Sequence, residues 1–354
     1  MKSRTQASDK HAKSNLSTQL QQQWQSGGAL STALIPLAML NGAIQKLRKR
    51  LYQNGFKSTY KAPCPVIVVG NIYVGGTGKT PVVAAICEAL KNKGFTPGII
   101  SRGYGVKIGK AARVAAGASA KAELIGDEPA LLAQYAPIAV HPKRALALKA
   151  LLRQYPETDV IIADDGLQHL ALQRDVEIVV QDERGIGNAR LLPAGPLRES
   201  ATKLAEVDFI LTNRNHRHFH KTLSPNDSKP YHVDMRIIPS AFVNLQSYEE
   251  VEPSLWQAQH RQRSIAAVAG IGNPQRFFNS LKELHISPQK LLPFPDHYAY
   301  SAADFVHLHE DIILMTEKDA IKCRDFAYER FWFLKVRAEF SDSNFFERIE
   351  QLIK

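Results

Sequence analysis

Val69-Gly-Asn-Ile-Tyr-Val-Gly-Gly-Thr-Gly-Lys-Thr80 decides how the rest of the chain is read. A continuous β-branched run, Val66 to Val69, leads into it, and a helical pattern from about Lys79 to Lys93 leads out. Strand, Gly-rich turn, helix is the context in which backbone N–H groups at a helix N-terminus cradle phosphate oxygens. Tyr73, Val74, Gly75, Gly76, Thr77, Gly78, Lys79 and Thr80 are therefore expected to bind a nucleotide. Lys79 is expected on the β- and γ-phosphates, and the Thr80 hydroxyl on Mg²⁺. One position departs from G-x-x-x-x-G-K-[ST]: Tyr73 stands where the first glycine is usual. Pro81 suits the first helical turn, where its missing donor is not needed.

Working outward, Val160-Ile-Ile-Ala-Asp-Asp-Gly-Leu-Gln-His169 is an apolar run that ends in two carboxylates. Beside a phosphate-binding turn this fits a Walker B strand, with Asp164 and Asp165 near the metal; the bland alternative is a strand ending in an acidic turn. Further strands are expected at Gly98–Ser101, Ile138–His141, Glu177–Gln181 and Phe209–Thr212, with helices between several of them. Such alternation implies a parallel α/β sheet with crossover helices on both faces, of the P-loop NTPase type. Ile265–Ala269, Ile312–Thr316 and Phe331–Leu334 predict a second, smaller α/β domain.

The chain has 354 residues, which suits two domains. Residues 1–26 are polar and predict a disordered tail without signal-peptide order. Residues 27–60 begin with an apolar run interrupted by Pro36 and too short to span a bilayer. The basic stretch Lys46, Arg48, Lys49, Arg50 follows at once. That pairing suits a helix lying in a membrane interface, or one packed on the protein's own core. Residues 61–215 form the expected P-loop core domain, 216–230 a polar linker and 231–354 the smaller domain.

Lys and Arg number 45 against 34 Asp and Glu, a net charge of +11 that favours an anionic partner. No RNP, helix-turn-helix or zinc-finger pattern accompanies it, so nucleic acid is not expected. The three cysteines are scattered and show no C-x-x-C spacing, as in a reducing compartment.

Several shorter patterns each admit two readings. Ser101-Arg-Gly-Tyr-Gly105, with Arg102, reads as a phosphate or substrate loop or as a plain turn. Gly126-Asp-Glu-Pro129 offers a carboxylate at a helix start, or a cap. Leu192-Pro-Ala-Gly-Pro-Leu-Arg-Glu199 reads as a structured loop with a charged tip. Pro295-Asp-His-Tyr298 puts a histidine in a turn, and Thr316-Glu-Lys-Asp319 touches a nucleotide base or caps a helix. His216, His218 and His220 read as solvated linker residues rather than metal ligands.

Taken in order, these motifs resemble the tetraacyldisaccharide 4′-kinase family, the lipid A 4′-kinases of Gram-negative bacteria. The resemblance runs from about Gly28 to the C-terminal region and includes Phe294–Tyr298 and Thr316–Lys322. The unusual first P-loop position is typical of that family. It implies transfer of the ATP γ-phosphate to the 4′-hydroxyl of a tetraacylated glucosamine disaccharide 1-phosphate, with ATP and Mg²⁺. It also implies a monomer bound peripherally to an anionic membrane surface, at the cytoplasmic face of the bacterial inner membrane. Carried over, Asp127 is the catalytic base with His297 as its partner, and Lys79 acts on the transferred phosphate. Arg102, Gln168, His169, Arg198 and Glu199 fall to the substrate or the lid. A P-loop GTPase or metallochaperone-like switch protein is the alternative, since Thr-Glu-Lys-Asp is similar to a guanine-reading loop.

Overall fold

A computed structural model describes residues 22–214 and 229–354. Most of the expected tail and most of the expected 216–230 linker, with its three histidines, lie outside the described residues.

The strands in chain order are β1 (Val66–Gly70), β2 (Pro97–Ser101), β3 (Arg113–Ala115), β4 (Ile138–Val140), β5 (Val160–Asp164), β6 (Val176–Asp182) and β7 (Phe209–Asn213). They continue as β8 (Tyr231–Asn244), β9 (Glu250–Val251), β10 (Ile265–Ala269), β11 (Lys290–Pro293), β12 (Ile312–Thr316) and β13 (Phe331–Phe340). All belong to one sheet, ordered β11-β10-β12-β13-β8-β7-β6-β1-β5-β2-β4-β3, with β9 on β8. The pairs are parallel except β3–β4, β8–β9 and β8–β13. Strands β1, β5 and β10 are buried along their whole length, as parallel strands covered on both faces must be.

Alternation along each strand sends side chains to opposite faces. Ile67 and Val69 join one core cluster, with Val82, Val83, Ile86 and Leu90 of the helix Lys79–Asn92. Val66 and Val68 join the other. The C-terminal helix Phe345–Ile353 returns to the first cluster through Phe345, Ile349 and Ile353, so the chain's end packs on the P-loop half.

β8 sets the relation between the two halves of the sheet. Tyr231–Met235 pair in parallel with β7, whereas Phe242–Asn244 pair antiparallel with Trp332–Leu334 at the start of β13. The residues between carry the ribbon beyond β7 by roughly 20 Å at the usual strand rise. Strands β12 and β10 run parallel to β13, hence against β1 and β5. The carboxyl ends of the two parallel sets therefore face each other. Such ends are where open α/β sheets bind ligands.

The apolar run near the N-terminus is helical on both sides of a break. The run is divided at Leu34 into a short helix, Ala29–Ala33, and a longer one, Ile35–Gln53, with Pro36 in the first turn of the second. No helix among the described residues is long and apolar enough to cross a membrane.

Candidate active site

The turn between β1 and the helix Lys79–Asn92 is held from several sides. Asn71 Nδ2 donates to Gly75 O at 3.0 Å, Asn213 Nδ2 to Thr77 O at 3.1 Å and Val74 N to Pro196 O at 2.9 Å. Gly78, the last residue before the helix, has φ 94°. That left-handed conformation favours glycine, and a Cβ there would also lie 2.7 Å from Ile237 Cδ1, which would have to shift.

Tyr73 shows why the usual first glycine is dispensable. Its backbone is not left-handed, and its side chain turns inward until only 2% is exposed. The hydroxyl accepts the Asp182 amide of β6, and the Arg184 guanidinium sits 5.3 Å from the ring centroid. Burial raises its pKa, so the phenol stays neutral. The Thr77 hydroxyl is buried without a partner among the described residues, an orphan that a phosphate oxygen would satisfy.

Beyond β5 the two carboxylates differ in environment. Asp164 is buried and takes the Ser101 hydroxyl at 3.1 Å; burial first, then Glu128, push its pKa up to about 6. Asp165 has φ 50°, unusual for a non-glycine. Its carboxylate meets Lys79 Nζ at 3.4 Å and Arg198 Nη1 at 3.1 Å. Burial alone would raise Asp165, but Lys79 and Arg198 outweigh it and hold the group below the usual carboxylate range. Hard oxygen donors on Thr80, Asp164 and Asp165 suit Mg²⁺, and a buried carboxylate as poorly compensated as Asp164 fits a site built for a cation.

Arg144, which no sequence pattern singled out, braces this turn. It donates to the carbonyls of Asp164 at 3.1 Å and Asp165 at 3.3 Å, and burial pushes its pKa down to about 10. His169 Nε2 accepts the Arg144 amide at 3.1 Å, and burial followed by Arg144 pushes its pKa down to about 4. His169 is thus a neutral acceptor inside the wall. Gln168 bridges Asn71 O at 3.1 Å and Glu199 Oε1 at 2.6 Å, tying the Leu192–Glu199 loop to the P-loop. Arg102 is exposed at the rim.

From the opposite half, His297 reaches across. Its Nδ1 lies 2.9 Å from Asp127 Oδ2, and its ring centroid 5.9 Å from that of Tyr104. Asp127 opens the helix Asp127–Leu132, and Lys322 Nζ meets the same Oδ2 at 3.2 Å. The sequence placed Lys322 at the end of a motif but gave it no role. Lys322 is itself backed by Asp319 at 3.4 Å. Asp319 is fully buried, taking the Gly270 amide at 2.9 Å and the Thr316 hydroxyl at 2.6 Å. Thr316-Glu-Lys-Asp319 therefore caps a helix, and its carboxylate is not free to read a guanine.

A Gly-rich turn leading into a helix at Lys79 and Thr80, beside a parallel strand ending in two carboxylates, is the arrangement of P-loop phosphotransferases, and that is the class this fold and site define. The profile of one such family, described as tetraacyldisaccharide-1-P 4′-kinase, matches residues 30–354. The chain is 48% identical over 336 residues to a tetraacyldisaccharide 4′-kinase of Bordetella petrii, covering 94% of this chain and 95% of that one. It is 44% identical over 320 residues to the Vibrio cholerae enzyme of the same name, covering 89% and 90%. A crystal structure titled as LpxK from Aquifex aeolicus in complex with ATP superposes with TM-score 0.77 at 29% identity, covering 92% of this chain and all of that one. The chain belongs to the tetraacyldisaccharide 4′-kinase family.

Proposed function

We propose that the protein transfers the γ-phosphate of ATP to the 4′-hydroxyl of a tetraacylated glucosamine disaccharide 1-phosphate, a step in making lipid A. The observation that carries this is a contact between the two halves: His297 meets Asp127, which lies on the same half as the P-loop and Lys79.

Asp127 is the proton acceptor. Its Oδ2 is engaged by His297 Nδ1 and Lys322 Nζ, which leaves Oδ1 for the sugar hydroxyl. As the hydroxyl oxygen bonds to the γ-phosphorus, its proton passes to Asp127 and the bond to the ADP oxygen breaks. His297 orients the carboxylate and donates to it. Lys79 and Arg198, now on Asp165, are the cations at hand for the phosphate charge. Thr80, Asp164 and Asp165 would hold Mg²⁺, which supplies charge neutralisation at the phosphates.

The acceptor is a lipid, and the helix Ile35–Gln53 suits a membrane surface. Leu37, Leu40, Ile44 and Leu47 form an outward stripe, each between 55% and 59% exposed. Lys46, Arg48 and Arg50 flank it, all exposed. An apolar stripe bordered by basic side chains fits anionic lipid at the cytoplasmic face of the inner membrane. The test is transfer of labelled γ-phosphate from ATP to the detergent-dispersed disaccharide 1-phosphate. Labelled 4′-phosphorylated product is expected, and no product with ATP and Mg²⁺ present would sink the assignment.

A further inference from the structure

The inward face of the helix Ile35–Gln53 carries the polar side chains of Asn41 and Gln45 beside buried Ala38. Its polar groups meet the loop that carries Arg198. Asn41 Nδ2 donates to Leu192 O at 2.8 Å, and Gln45 Nε2 donates to Arg198 O at 2.9 Å. The same Gln45 amide gives its other N–H to Asn41 Oδ1 at 3.0 Å, so the two side chains brace each other. Just upstream, Trp24 Nε1 donates to Pro193 O at 3.0 Å, and the Ser31 hydroxyl to Ala194 O. Four carbonyls of one loop are thus taken by four side chains of the N-terminal segment. The loop has no regular secondary structure of its own, only isolated bridges at Leu191 and Leu197.

Arg198 is the residue that this arrangement fixes. Its amide donates to Ile72 O at 2.6 Å, on the segment entering the P-loop, while its carbonyl is held by Gln45. With both sides of the residue tied, the guanidinium reaches both Asp165 oxygens at 3.1 Å. Cutting one tie frees the chain to carry the guanidinium off the phosphate side. A longer or shorter reach by one ångström is enough to weaken a positioned charge.

We propose that Gln45, braced by Asn41, is a positioning residue for Arg198, and that through it the lipid-facing helix and the nucleotide site are energetically coupled. The proposal rests on the reading of the helix's outer stripe as lipid-facing and of Arg198 as phosphate-facing. A lipid surface that holds the helix in place holds Arg198 as well, so lipid and ATP each strengthen the binding of the other. Linkage requires the factor to be the same in both directions.

The experiment measures ATP affinity by calorimetry, with and without anionic vesicles that contain no sugar acceptor. The proteins are wild type, Gln45→Ala, Gln45→Lys, Arg198→Ala and the Gln45→Ala/Arg198→Ala pair, and vesicle binding is measured on each by sedimentation. Vesicles tighten ATP binding by wild type. Gln45→Ala weakens ATP binding about 2–10-fold, the worth of one hydrogen bond, and abolishes the vesicle effect. It leaves vesicle binding in the absence of ATP unchanged, because Gln45 faces away from the lipid. Gln45→Lys keeps a donor for the Arg198 carbonyl and recovers part of the affinity. The double variant binds ATP no worse than Arg198→Ala. Wild-type ATP affinity with an intact vesicle effect in folded Gln45→Ala overturns the proposal, as do losses that multiply in the double variant. Absence of vesicle binding by wild type removes the lipid-facing reading instead. Absence of product in the acceptor assay removes the kinase reading, while the acceptor-free linkage still decides the coupling.

Discussion

His297 Nδ1 lies 2.9 Å from Asp127 Oδ2, although the two residues sit on opposite sides of the β8–β13 ribbon and 170 positions apart. His297 adopts φ 59°, a conformation that a non-glycine residue holds only when its surroundings insist. If this pair moves the proton, Asp127→Ala lowers kcat by about 10²–10⁴ and leaves ATP affinity near that of wild type. His297→Ala costs less, because it orients the carboxylate without taking the proton. The double variant is barely worse than Asp127→Ala, since residues acting as a unit do not add. Steady-state kinetics on the four proteins, with ATP binding measured separately, decide the matter; multiplicative losses would separate the two roles.

Tyr73 and Lys79 are predicted to fail differently. Tyr73→Gly restores the usual P-loop glycine, yet it empties a buried aromatic site and removes the acceptor of the Asp182 amide. Loss of stability on the order of 3–5 kcal/mol is expected, read from denaturant unfolding. Lys79→Ala removes a cation from the phosphates and leaves the core intact, so turnover collapses while the unfolding midpoint stays close to wild type. Near-normal turnover in folded Lys79→Ala would exclude the P-loop assignment.

Asp164 and His169 make opposite contributions to the pH dependence of stability. The folded pKa of Asp164 is raised to about 6 by burial, so the native state holds its proton longer and stability falls as pH rises through about 4 to 6. The folded pKa of His169 is lowered to about 4, chiefly by burial, so stability falls as pH drops from about 6.5 towards 4. Over that window the two slopes offset each other in wild type. Asp164→Asn removes one of them. Without Mg²⁺ it should stabilise the protein by on the order of 2–3 kcal/mol at pH 7.5 and by about 1 kcal/mol at pH 4.5. Thermal unfolding at both values is the measurement, and equal effects at the two would mean that burial does not raise the Asp164 pKa.

Membrane contact is best tested by single changes on the outer face of the helix Ile35–Gln53. Deleting the helix would also remove Asn41 and Gln45 from the Arg198 loop. Leu40→Ser with Ile44→Ser should weaken binding to anionic vesicles by roughly tenfold or more, from the apolar area lost, and leave ATP affinity without vesicles unchanged. Added salt should weaken the wild-type interaction by screening Lys46, Arg48 and Arg50. Co-sedimentation with vesicles reads both effects. Unchanged partitioning of the double serine variant would show that the stripe has another purpose.

Local chemistry made much of this molecule legible in its sequence. The strand–turn–helix around Gly75 to Thr80 is set by left-handed glycines and a β-branched strand, both of which act over a few residues. The acidic end of β5 announced itself because carboxylates after an apolar run need a cation. The resemblance drew Asp127 and His297 together, but neither short motif did so alone, since a pair 170 residues apart leaves no periodic trace. β8 was not foreseen as a strand. Its inner stretch alternates poorly, because it joins two halves and is covered on different faces along its length. Arg144 carried no signal and Lys322 only a place at the end of a motif without a role, because a buried cation is recognised only by the carbonyls and carboxylates packed around it. The helix Ile35–Gln53 states the division most clearly. The apolar and basic residues of the segment were legible in its sequence with two readings open, a membrane interface or packing on the core, while only the tertiary structure decided that Asn41 and Gln45 would turn inward. The reason is physical: the loop at Leu192–Arg198 has carbonyls to satisfy, and Asn41 and Gln45 are the donors within reach.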